Sequence, residues 1–184
     1  METILIYMVN SRRIEMLIRA ANIGDAPGIT KVQVDSWRTT FKGIVSDSFL
    51  DSLSYAKREP VWRRAITENK LYIAEVENGQ VIGFSVGGKE RTGNYEAYTG
   101  ELYSIFILEE HQGTGIGRLL VQSVVDYLKE KMLNSLLIWV IEENPACKFY
   151  EALGGKKIDI REIEIGGKKL REIAYGWDDI SEYK

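Results

Sequence analysis

Three glycines in five positions, Gly113, Gly115 and Gly117, join an apolar stretch to an amphipathic one, and no other feature of the chain constrains its fold as tightly. Before them, Leu102 to Leu108 is β-branched and aromatic with no Gly or Pro, the composition of a buried strand. After them, Leu119, Leu120, Val124, Val125 and Leu128 recur at helical spacing with charges between. A strand, a glycine turn and a helix in that order leave N–H groups unpaired at the helix start. They lie at the positive end of the helix dipole, a site suited to phosphate or pyrophosphate. The dinucleotide fingerprint G-x-G-x-x-G fails because Gly117 comes one residue early. The P-loop fails because Arg118 and Leu119 follow Gly117 in place of Lys-Ser/Thr.

The 184 residues suit one domain with a real core, and 45% apolar with 28% charged residues is ordinary for a globular protein. A net charge of −3 argues against a nucleic-acid partner and mildly favours a cationic substrate. One cysteine, Cys147, rules out an internal disulfide and suits a reducing compartment, hence a cytoplasmic protein. One histidine, His111, offers no multi-histidine site, and no metal is expected. No apolar run reaches the roughly 18 residues of a membrane span. At the N-terminus the apolar stretch precedes Arg12 and Arg13, the reverse of a secretory signal. Residues 1–15 are therefore read as an extension outside the core, and 16–184 as a single domain.

Met16 to Ala21 reads as a first strand. Asp25 and Pro27 start a helix running to about Phe41. Ser46 caps a second, Asp47 to Leu53, and Tyr55 to Glu68 is helical around Pro60. Strands Leu71–Val76 and Val81–Val86 flank Asn78-Gly79, a hairpin signal. Gly87 to Gly100 is a polar loop. Leu136 to Ile141 is a continuous apolar strand, Ala146 to Leu153 a short helix, and Lys157–Ile165 and Lys169–Trp177 a hairpin around Gly166-Gly167. The expected fold class is α+β, one domain with a mixed six- or seven-stranded sheet.

Gln112-Gly113-Thr114-Gly115-Ile116-Gly117 matches Gln/Arg-x-x-Gly-x-Gly, and Asn144-Pro-Ala-Cys-Lys-Phe-Tyr150-Glu-Ala-Leu-Gly154 follows downstream. Together these resemble the GNAT family of N-acetyltransferases. The resemblance implies the GNAT fold, acetyl-CoA as cosubstrate, and direct acetyl transfer to a primary amine of a small molecule or peptide, polyamine-like acceptors included. A non-catalytic acyl-CoA sensor is the alternative. By the same resemblance the pantetheine arm lies along Ile105, Phe106 and Ile107, and the pyrophosphate rests on the N–H groups of Gln112 to Gly117. Tyr150 takes the place of the acid that protonates the departing thiolate. Glu101, 11 residues before Gln112, stands where histone-type members keep their general base. Asn144 is a cofactor contact in the family, but here it precedes the tyrosine by six residues rather than seven, so it also reads as a helix cap.

Cys147 is expected to be structural and His111 exposed. Trp37 falls where members shape the acceptor pocket and also reads as core, and Trp139 reads as packing on a buried strand. The C-terminal hairpin is a candidate for strand pairing in a homodimer.

Overall fold

The computed structural model describes residues 3–9 and 12–183. Its single eight-stranded sheet has the order β1-β2-β3-β4-β5-β6-β8-β7. The strands are β1 (Thr3–Val9), β2 (Arg12–Ala20), β3 (Lys70–Val76), β4 (Val81–Lys89), β5 (Gly100–Ile107), β6 (Leu136–Ile141), β7 (Lys156–Ile165) and β8 (Lys168–Trp177). Neighbours are antiparallel except β5 and β6, which are parallel. The parallel pair needs a crossover, and helix α4 (Ile116–Glu130) supplies it.

Helix α4 buries Leu120, Val121, Val124, Val125 and Leu128 against β3, β4 and β5. The fit is close: a Cβ on Gly87 would sit 2.5 Å from Val124, and one on Gly100 2.7 Å from Leu128. On the opposite face lie α1 (Ala26–Thr40), α2 (Asp47–Ser52) and α3 (Tyr55–Glu68). Trp62 of α3 meets Phe84 of β4 edge-on at 4.7 Å. A smaller cluster of Val34, Phe41, Leu50, Ile141 and Leu170 joins α1 and α2 to the far strands. Helix α5 (Ala146–Ala152) follows β6.

Several local expectations are corrected. Asp25 makes no side-chain cap for α1; its carboxylate accepts from Asn22 N–H, closing a capping box on a preceding 3-10 turn. Ser46 gives α2 no side-chain cap either and donates instead to Gly166 O. Strand β4 runs on through Lys89, into the expected loop.

The largest difference is at the N-terminus. Strand β2 begins at Arg12, and Thr3–Val9, within the segment set outside the core, pairs with it as an added edge strand. That raises the count to eight, β2 to β8 being the expected seven. The opposite edge, β7, exposes Lys157, Arg161, Glu162 and Glu164. Such charge opposes edge-to-edge pairing, which weakens the case for a dimer through this hairpin.

Strand β2 pairs with β3 only from Met16 to Ala20, so residues 12–15 pair with β1 alone. Deleting residues 1–15 is therefore expected to lower Tm by less than about 5 °C, 1 kcal/mol being worth roughly 2–4 °C at this size. Thermal unfolding of the truncated protein tests this, and a fall beyond about 10 °C would make the hairpin integral to the core.

Candidate active site

Strands β5 and β6 pair only at Gly100–Leu136 and Glu101–Leu137. Beyond those two pairs they diverge, and the flank of β5 that faces away from β4 is left without a strand. A bulge in the β4–β5 register, between Val86 and Gly87, falls just past the point of divergence. The carbonyl of Ile107 accepts from Ser36 Oγ and Gln112 Nε2, each at 3.1 Å, which places Ile107's polar groups on the open flank. By strand alternation Ile105 turns its N–H and C=O the same way, while those of Phe106 point to β4. Phe106 therefore offers its side chain, and its backbone is taken.

A cleft of about 650 Å³ occupies this split. It is walled by the end of α1 (Ser36, Thr39, Thr40), by Ile105, Phe106 and Ile107, by the glycine loop, and by the start of α5. Gln112, Gly113, Gly115 and Gly117 all line it. Gly113 and Gly115 have φ of 72° and 92°, and a Cβ on either would meet nothing within 4 Å. Their lack of side chains keeps the loop mouth open. Gly117 serves a different purpose, because its Cβ would press on the Phe149 ring at 3.2 Å.

Among the described residues the N–H groups of Gly113, Thr114, Gly115, Ile116 and Gly117 have no hydrogen-bond partner; hydrogen bonding along the loop resumes at Arg118 N–H, which reaches Gly115 O. Unpaired amides at the start of a 15-residue helix make an anion cradle. Thr114 and Ile116 belong to it through backbone only: the Thr114 hydroxyl donates to His111 O, and the Ile116 side chain is buried. Arg118 also lines the cleft.

Tyr150 reaches the cleft from α5 and is 4% exposed. Its hydroxyl has no hydrogen-bond partner among the described residues, and burial pushes the phenol well up from its ordinary pKa. At neutral pH it is a protonated donor. Asn144 lines the cleft just ahead of α5, whose N-cap position is taken by Pro145 without a side-chain cap. The Asn144 Oδ1 accepts from Ala146 N–H at 2.9 Å, a turn that leads into the helix.

Glu101 is not brought into the cleft with these residues. It is 3% exposed, on the face of β5 opposite α4. Both carboxylate oxygens accept from Arg91, Oε2 from its N–H and Nε at 3.1 Å each, and Oε1 from Nη2. The sequence held no signal for this, because Arg91 lies in the loop after β4 and reaches Glu101 only through the β4–β5 pairing.

Trp139 is also corrected. It is half-exposed, with the Arg161 guanidinium 3.9 Å over its ring and Tyr95 edge-on at 5.7 Å. Trp37 packs on Phe41 at 4.5 Å, and its buried Nε1 has no described partner. Cys147 is half-buried, with its thiol pushed up by burial, as befits a structural residue. His111 is half-buried rather than exposed and does not line the cleft. No group of three or more potential metal ligands occurs among the described residues. No helix among them is long and apolar enough to cross a membrane.

A mixed sheet split beside a helix-start anion cradle is the architecture of acyl-CoA-using N-acyltransferases. The model of the acetyltransferase (GNAT) family matches residues 33–155. YuaI of Bacillus subtilis, described as an uncharacterized N-acetyltransferase, is 38% identical over 167 residues, covering 91% of this chain and 95% of its own. The ribosomal protein bS18-alanine N-acetyltransferase of Haemophilus influenzae is 38% identical over 94 residues, 51% of this chain and 60% of its own. The fold matches that of yncA from Salmonella typhimurium, solved with its cofactor acetyl-CoA, at TM-score 0.69 and 22% identity over 92% of this chain and 96% of that one. The chain belongs to the GNAT acetyltransferase family and is an N-acetyltransferase enzyme.

Gly115→Val forces a branched side chain into positive φ at the loop mouth, and Gly117→Val drives one into Phe149. Either change is expected to abolish acetyl-CoA binding in calorimetric titration while far-UV circular dichroism stays unchanged. Ordinary affinity in both variants would remove the loop from the cofactor site.

Proposed function

We propose that the chain moves the acetyl group of acetyl-CoA directly onto a primary amine of a small molecule or peptide, without a metal. The observation that carries the reading is one continuous cleft, running from the unpaired loop amides along the open flank of β5 to Tyr150. The pyrophosphate rests on Gly113 to Gly117 and the pantetheine arm follows Ile105 and Ile107. The Ile105 N–H is placed to polarise the thioester carbonyl, as an oxyanion-hole donor does.

The amine nitrogen attacks the carbonyl carbon, the C–S bond breaks, and the thiolate takes a proton from Tyr150. The nitrogen's second proton returns to the phenolate through water. An alkylammonium has a pKa of about 10, so its proton must leave before attack. With both oxygens of Glu101 engaged by Arg91, that proton passes to water. Glu101 then serves as a positioning residue, holding Arg91. Asn144 completes the cofactor wall. The bS18-alanine enzyme acts on a peptide amine, which supports a peptide N-terminus as one source of acceptor.

Release of free thiol from acetyl-CoA over a panel of amino acids, peptides, polyamines and aminoglycosides tests the reaction. Tyr150→Phe is expected to lower kcat by about tenfold or more with little change in KM for acetyl-CoA. An unchanged kcat would reduce Tyr150 to packing.

A further inference from the structure

On the sheet face opposite α4, two guanidinium–aromatic stacks flank the point where β5 and β6 part. On the β5 side Arg91 lies 4.3 Å over the Tyr103 ring, two residues past the last ladder pair. On the β6 side Arg161 lies 3.9 Å over Trp139, likewise two residues past the last pair. The register sets Trp139 opposite Ala174, and Arg161 opposite Glu172, so β6, β8 and β7 present these groups on one face. Tyr95 links the two sides: it follows Arg91 in the loop, meets Trp139 edge-on, and donates to Asp159 of β7.

Each arginine is fixed along one edge by a carboxylate and beneath by a ring. Arg91 uses Nε and Nη2 on Glu101, and Arg161 uses Nε and Nη2 on Glu172. Among the described residues neither Nη1 has a hydrogen-bond partner. The two side chains remain 57% and 45% exposed. A guanidinium held this way has already lost its rotamer freedom and keeps a donor edge in reserve, which suits bidentate or end-on recognition of a carboxylate. Glu101 and Glu172 have their charge answered by these arginines, while Asp159 accepts from the Tyr95 hydroxyl, so what the face offers an acceptor's carboxylate is the two held donor edges.

We infer that Arg91 and Arg161 select the acceptor by binding a carboxylate a few bonds from the reacting amine. The inference rests on the proposed acetyl transfer and names its substrate class: amines that carry a carboxylate, in preference to polyamines. A free amino acid and an acidic residue near a peptide N-terminus both present that chemistry.

The test compares acetylation of free amino acids with that of their amides, and of short peptides having Glu at the second or third position with their Gln counterparts. The wild type is expected to favour the carboxylate member of at least one pair by roughly tenfold or more in kcat/KM. The pair that shows the preference identifies the source. Arg161→Gln is expected to erase the preference through KM for the acidic acceptor. It should leave kcat, acetyl-CoA affinity and turnover of the neutral member within about twofold. Turnover without a carboxylate preference in either pair overturns this inference alone. Failure to acetylate any amine overturns the proposed reaction with it.

Discussion

The site depends on the brevity of one strand pairing. Strands β5 and β6 share two residue pairs and then separate, so a fully formed sheet contains a stretch of backbone with no neighbour. Leaving N–H and C=O groups unpaired costs free energy unless water or a ligand answers them. Here Ser36 and Gln112 answer the Ile107 carbonyl, one from α1 and one from the glycine loop. The two side chains therefore tie both walls of the cleft to the strand that floors it. The crossover through α4 makes the separation possible, since its buried stripe holds β5 in the sheet from one face while the edge stays open.

Much of the architecture was legible because local rules and tertiary context agree. Tyr55–Glu68 and Leu136–Ile141 have the bounds the periodicity gives, and Pro60 sits inside the first of these as the pattern allows. The glycine loop was legible because positive φ and close approach exclude most other residues at Gly113, Gly115 and Gly117. What escaped was set by contacts distant in sequence. The environment of Glu101 depends on Arg91, ten positions back across a bulged register. The surroundings of Trp139 depend on Arg161, which arrives only when β7 folds over β8 beside β6. An apolar run such as Thr3–Val9 carries no mark of whether it will find a strand to pair with, and β2 decides that.

Tyr150 and Glu101 show how burial alone does not assign chemistry. Both are nearly inaccessible, at 4% and 3%. The phenol is left without a partner beside the cleft, whereas the carboxylate is saturated by one arginine. A hydroxyl that opens onto a cleft remains available to whatever enters it, while a saturated carboxylate needs nothing further.

The pairing of Arg91 with Glu101 and of Arg161 with Glu172 also bears on how fast the enzyme meets its acceptor. Charges that cancel within a few ångströms project little field beyond a Debye length. Encounter on that face is then governed by ordinary diffusion and orientation rather than by electrostatic steering. Association rates there should be nearly indifferent to ionic strength, and discrimination among acceptors should appear in how long each stays bound.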